Sequence, residues 1–143
     1  MKKEVIVQVI GKQRYPEGHE DSQELITEGM FYERNGTYYA VYKETELTGL
    51  EGTTTFISAK GEMVCLNRQG SVNVTQEFKK GVINRSFYST SCGKLLLSVM
   101  PQRVEYDLTA QGGRISLEYD LFVDDILVSS NVLLLNIKED LPQ

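Results

Sequence analysis

The sequence contains no tryptophan, one histidine, two cysteines and three prolines in 143 residues. With a single imidazole, a zinc site would have to be completed by carboxylates and distant thiols, and a serine–histidine–carboxylate relay would have to pass through that one residue. His19 lies among Glu17, Gly18, Glu20 and Asp21, the composition of a solvated loop, so neither metal nor acyl chemistry is expected there. Cys65 and Cys92 are far apart and lack CxxC spacing, which reads as two free thiols in a reducing compartment. Cys92 follows Ser89, Thr90 and Ser91, and no base neighbours it.

Long apolar runs are also missing. Val132 to Leu135 is typical of the longest, far short of the roughly 20 residues that a membrane-spanning helix needs. The chain opens Met1-Lys2-Lys3-Glu4 and then alternates, without the apolar core of a signal peptide, so a cytoplasmic location is expected. Basic runs stop at the pairs Lys2-Lys3 and Lys79-Lys80. Fifteen Lys and Arg against 20 Asp and Glu give a formal charge of -5 and a pI near 4.9, which argues against a nucleic-acid partner. No GxGxxG, Walker, HExxH or GxSxG string occurs, so no cofactor is expected and the chain does not read as an enzyme. Asp124-Asp125 is a carboxylate pair, but adjacent strand residues face opposite ways and paired aspartates favour turns.

What the chain does have is ordinary globular composition, 41% hydrophobic and 24% charged. A chain of this length removes roughly 70% of its unfolded surface from water, enough for one core, and residues 1–143 read as a single domain. Its dominant pattern is period-two alternation in short segments separated by turn residues, and helical periodicity is absent. Strands are expected at Val5 to Val9, Ser22 to Arg34, Thr37 to Glu46, Thr53 to Lys60, Glu62 to Arg68, Ser71 to Phe78 and Val82 to Thr90. Leu95 to Met100 and Gln102 to Gln111 follow, with Pro101 between them marking a bulge, bend or edge. Arg114 to Val123 and Ile126 to Ile137 form a last hairpin; Ile115, Leu117, Tyr119, Leu121 and Val123 share its dry face.

Asn35-Gly36 is the strongest hairpin signal, because both residues accept the positive φ of a type I′ turn. Gly61, Gln69-Gly70, Lys80-Gly81, Gly112-Gly113 and Asp124-Asp125 are read as further reversals, and Pro16 to Asp21 as the longest loop. Sequential hairpins of this kind build either a sandwich or a barrel. Closure removes exposed edges, so the fold class expected is all-β, a closed antiparallel meander barrel of about 8–10 strands.

The interior of such a barrel is either packed solid or left open around one ligand. On the Val82 to Thr90 strand, Ile83, Arg85 and Phe87 share one face and Asn84, Ser86 and Tyr88 the other. Turned inward, Arg85 would need an internal carboxylate or an acidic ligand head group; turned outward, it is simply solvated. Arg103 poses the same question beside Val104, Tyr106 and Leu108, which form a core face. Eight tyrosines either pack at strand ends or line a pocket that is part polar and part apolar. The candidate ligand-binding residues are Arg85, Tyr88, Arg103, Tyr106, Tyr38 and Tyr42.

Four strings, TGLEGTTT (Thr48 to Thr55), YSTSCGKL (Tyr88 to Leu95), GGRISLEYDL (Gly112 to Leu121) and VSSNVLLLNI (Val128 to Ile137), resemble in order and spacing the YwiB-like family of small bacterial proteins of unknown function. The resemblance extends from about Val5 to Ile137 and implies a calycin-like barrel, similar in outline to lipocalins and fatty-acid-binding proteins. Ser91-Cys92 before Gly93, in place of a Pro-Tyr pair, and Asp124-Asp125, in place of an Asn-Gly-type turn, depart from the family pattern. The lipocalin Gly-x-Trp signature is missing, so ligand binding does not carry over from lipocalins, and the family has no activity to lend. The residues therefore lead to an expectation of a non-enzymatic barrel that binds a small apolar or amphipathic molecule. The rival is an interaction or structural module that uses an outer face or strand edge, and association into a homodimer is compatible with either.

Overall fold

The alternation becomes ten antiparallel strands in the computed structural model, which describes residues 2–90 and 93–140. They are β1 (Lys3–Arg14), β2 (Glu20–Arg34), β3 (Thr37–Lys43), β4 (Thr53–Lys60), β5 (Met63–Gly70), β6 (Val74–Lys79), β7 (Asn84–Thr90), β8 (Gly93–Thr109), β9 (Gly112–Val123) and β10 (Ile126–Glu139). A single-turn 3₁₀ helix, Glu46–Thr48, lies in the β3–β4 connection. Sequence neighbours pair everywhere except between β6 and β7, and the first strand joins the last: the order is β6-β5-β4-β3-β2-β1-β10-β9-β8-β7.

This order brings β6 and β7 together as the two ends of the sheet. No ladder joins them. They meet through one antiparallel bridge, Lys79 with Val82, and through the Glu77 N–H, which donates to Asn84 Oδ1 at 3.1 Å. Beside this seam the Gly81 N–H donates to the Pro101 carbonyl at 2.9 Å. The result is a nearly closed barrel, sealed mainly by side chains where the ladder is interrupted.

Turn chemistry fixes the hairpins. Asn35 and Gly36 adopt φ of 53° and 82°, and Asp124 and Asp125 adopt 49° and 67°, so both pairs supply the left-handed residues of a tight hairpin. Gly112-Gly113, expected as a turn, instead opens β9, while Ala110 and Gln111 make the reversal. The glycines are needed for close approach: a Cβ on Gly113 would lie 1.9 Å from the Asp107 carbonyl oxygen, and one on Gly112 would lie 2.3 Å from that of Ile137. The two segments expected on either side of Pro101 are one strand, β8, whose register with β9 shifts between Pro101 and Arg103. A proline lacks the N–H that a regular ladder would use there, and the bulge absorbs the defect.

Inward residues from every wall fill one end of the barrel, the end that carries the Asn35-Gly36 turn. Phe31, Ile57, Val64, Phe78, Ile115 and Ile137 are all at most 4% exposed. Each such side chain contributes roughly 1.5–3 kcal/mol relative to an exposed one. Toward the opposite end, which carries Asp124-Asp125 and the β3–β4 connection, the inward positions change character.

Candidate functional site

Cross-strand register places Tyr42 of β3 opposite Thr55 of β4, and Thr55 opposite Arg68 of β5. Directly opposed residues point to the same side of a sheet. Here that side is inward, so a phenol, a hydroxyl and a guanidinium stand in one row across three strands. Glu44 extends the inward face of β3 past Tyr42, and its N–H continues the pairing by donating to the Thr53 carbonyl at 2.8 Å. On the facing wall, Tyr119 of β9 pairs with Asn131 of β10, and Asn131 with Gln13 of β1.

Between these walls lies a cavity of about 360 Å³. Leu25, Leu121 and Leu133 supply its apolar surface, and Tyr42, Arg68 and Tyr119 its principal polar groups. Gly11 also lines it, and the absence of a side chain there leaves room: an added Cβ would find only Gln13 Nε2, at 3.7 Å. Thr48 and Leu50, from the β3–β4 connection, reach over the rim.

Polar groups in this cavity are unequally satisfied. The Glu44 side chain is only 2% exposed; its Oε2 accepts from the Thr55 hydroxyl at 2.5 Å and its Oε1 from the Thr48 hydroxyl at 3.0 Å. Two hydroxyl donors thus hold the carboxylate in place. Arg68 stands in a different condition. Its Nε is buried without a hydrogen-bond partner, and its ion pair with Glu44 Oε2 is loose, at 3.7 Å. The same side chain also borders an outer cleft beside Val74 and Ser86, where the β6–β7 ladder is missing. Burial, and then the Glu44 carboxylate, push the Tyr42 phenol well above its ordinary pKa, with Arg68 pulling the other way; burial likewise raises Tyr119. Both phenols remain neutral donors.

Of the six residues singled out in the sequence, Tyr42 alone lines this cavity. Tyr38 and Tyr106 point inward at the filled end, where Tyr38 stacks on Phe31 with ring centroids 5.9 Å apart and the Tyr106 hydroxyl donates to the Gly61 carbonyl at 2.9 Å. Tyr88 has the inward parity of β7 and is half-buried, away from the cavity lining. Arg85 and Arg103 are corrected: both lie on the outer face, Arg85 exposed and Arg103 paired with Glu118 at 2.9 Å and Glu105 at 3.8 Å. The interior cation is Arg68. Its signal was parity, since Val64, Leu66 and Arg68 alternate on one strand, but reading Gln69-Gly70 as a turn puts Arg68 at the strand's end, where facing is easily disregarded.

His19 is exposed, with Nε2 3.0 Å from Asp21 Oδ1 and its ring stacked on Tyr15. Asp124 and Asp125 are exposed in their turn. Cys65 carries a free thiol on the outer face of β5, whereas Ser91 and Cys92 lie outside the described residues. Among the described residues no cluster of three or more His, Cys, Asp or Glu side chains is arranged to hold a metal, and no helix is long and apolar enough to cross a membrane.

A sequence model of the family described as a domain of unknown function (DUF1934) matches residues 7–135. The chain belongs to this family. The uncharacterized beta-barrel protein YwiB of Bacillus subtilis (strain 168) is 31% identical over 109 residues, which cover 76% of this chain and 75% of that protein. The crystal structure of the ywiB protein from Bacillus subtilis superposes with a TM-score of 0.87 at 23% identity, over 98% of this chain and 94% of that one. The resemblance read from the four strings is therefore real, and the fold of the ywiB protein is shared along nearly the whole chain. The family carries no assigned activity, so the chemistry of the cavity has to speak for itself.

Proposed function

We propose that this protein is a non-enzymatic binding protein that holds a small, partly apolar molecule in the open end of its barrel. The observation that carries this reading is the cavity of about 360 Å³ between the walls of β3–β5 and β9–β10, lined by leucines together with Tyr42, Arg68 and Tyr119. Ligand sites are concave, largely apolar and furnished with a few convergent polar groups, at volumes of roughly 300–1,000 Å³. This one is at the small end of that range. A cytoplasmic setting goes with the free Cys65 thiol.

The test is native mass spectrometry of protein purified without organic solvent, followed by a thermal-shift screen of small amphipathic acids, alcohols and aromatics. A co-purifying mass, or a dose-dependent rise in Tm for one class, is the expected result. Ligand-free protein that no member of the panel stabilises would refute the reading.

An outer-face reading also has a specific observation behind it. Phe87 is 65% exposed, and its cross-strand partner Leu96 lies on the same outer face as the Phe122–Leu127 pair, where Leu127 is 41% exposed. Such a row fits an interaction surface. Phe87→Glu would abolish partner capture or self-association under this reading and leave interior ligand binding intact.

A further inference from the structure

The distribution of hydrogen-bond donors and acceptors around the cavity defines the ligand more narrowly. Glu44, its one carboxylate, is already occupied by the hydroxyls of Thr48 and Thr55. Asn131 is turned to Ser129, its Nδ2 donating to Ser129 Oγ at 3.0 Å. Arg68 is the opposite case. A guanidinium offers five N–H donors in a planar fork and no acceptor, yet Arg68 is engaged only through the 3.7 Å approach of its Nε to Glu44, too long for a hydrogen bond. The Tyr119 phenol on the facing wall is held protonated and adds a further donor, whereas the Tyr42 hydroxyl is already in hydrogen-bond contact with Glu44 and Thr55.

Arg68 is thus the one cation of the cavity and a pure donor, beside the Gln13 and Gln23 amides that can donate or accept, and the apolar part of the lining is leucine and valine. The buried Arg68 Nε lacks a hydrogen-bond partner, and an occupant that brings anionic acceptor oxygens to the fork would supply one. Neutral alcohols or amides would satisfy one or two donors but, unlike an oxyanion, would not take both arms of the planar fork with charge-assisted hydrogen bonds.

We propose that the ligand is a small amphipathic acid whose oxyanion head group, carboxylate or phosphate, pairs with Arg68 while its short apolar tail lies against Leu25, Leu121 and Leu133. This assignment rests on the interior-binding reading and narrows it. Glu44 acts as a positioning residue: anchored by two threonine hydroxyls, it holds the guanidinium near the head-group site without bonding to it, so the fork stays free.

Isothermal titration with octanoate, octyl phosphate and octanol separates the possibilities on the wild-type protein. Octanoate or octyl phosphate is expected to bind at least about 10-fold more tightly than octanol, since charge-assisted hydrogen bonds are about twice as strong as neutral ones. The tighter of the two acids identifies the head group. In Arg68→Met the acids should fall to the affinity of octanol, and in Arg68→Lys they should regain part of the loss, because a point charge replaces the fork. Equal binding of octanol and both acids to wild-type protein overturns the acid assignment and leaves interior binding standing. Failure of all three probes to bind overturns both. The wild-type comparison decides the matter even if Arg68→Met does not fold.

Discussion

Arg68 Nε lies 3.7 Å from Glu44 Oε2, an oxygen that already accepts from the Thr55 hydroxyl while Oε1 accepts from that of Thr48. The two charges share a cavity without sharing a hydrogen bond. One partner is built into the wall and the other is left available, which makes their contributions to stability unequal.

Truncating the two residues should therefore give different results. Glu44→Ala removes the acceptor for two buried or half-buried hydroxyls and leaves the guanidinium unopposed, at a cost of about 2–4 kcal/mol. Arg68→Met leaves the buried Glu44 carboxylate its two hydroxyl donors but takes away its cation, and should cost less, about 1–2 kcal/mol. Urea unfolding of both variants measures the difference. Equal losses would mean that the pair is a structural ion pair.

The tyrosines predict an alkaline limit. Burial raises Tyr42 and Tyr119 above the ordinary value of 10.0, so the folded state holds those protons more tightly than the unfolded chain does. Their contribution is complete below about pH 10 and is lost as the pH climbs through the raised values. Absorbance titration of phenolate should show these two ionising after the exposed tyrosines, with stability declining above about pH 10. All eight tyrosines ionising together near pH 10 in a still-folded protein would contradict this placement.

At the seam, the Asn84 side chain substitutes for a missing rung of ladder by accepting from the Glu77 N–H. Asn84→Ala should cost about 1 kcal/mol and speed hydrogen exchange at the Glu77 amide by roughly 5-fold, with amides in the β1–β10 ladder unchanged. Uniform acceleration across the sheet would show that the seam is not a separate weak point.

Gly113→Ala should be among the most damaging small substitutions in the chain, because the new methyl would lie 1.9 Å from the Asp107 carbonyl oxygen at a φ of 142°. A loss of at least about 2 kcal/mol is expected, against about 1 kcal/mol for Gly61→Ala, where the left-handed turn has open space around it. Thermal unfolding ranks the two.

The strands and most turns were legible because alternation and the Asn-Gly-type turns act locally. Ile115 to Val123 shows its dry face in sequence, and that face is the one turned inward. Gly112-Gly113 misled for a physical reason: glycine pairs mark turns, but these two admit a neighbouring strand's carbonyl at close range, which only the assembled sheet reveals. The site was less legible. Arg85, Arg103 and Arg68 all alternate with apolar residues, and which arginine faces inward depends on where each strand starts and which register it takes. Glu44 and Thr55 gain their significance from lying two strands and one strand away from Arg68, a relation that exists only once β3, β4 and β5 are paired.

Methyl-resolved NMR of the protein titrated with octanoate tests the central claim most directly. Occupation of the open end predicts saturable shifts confined to cavity-lining methyls, those of Leu25, Leu121 and Leu133 with Val9, Leu50 and Val128, while the outward methyl of Ile26 stays unmoved. Shifts centred on the outer Leu96 and Leu127, or no saturable shift at all, would contradict it.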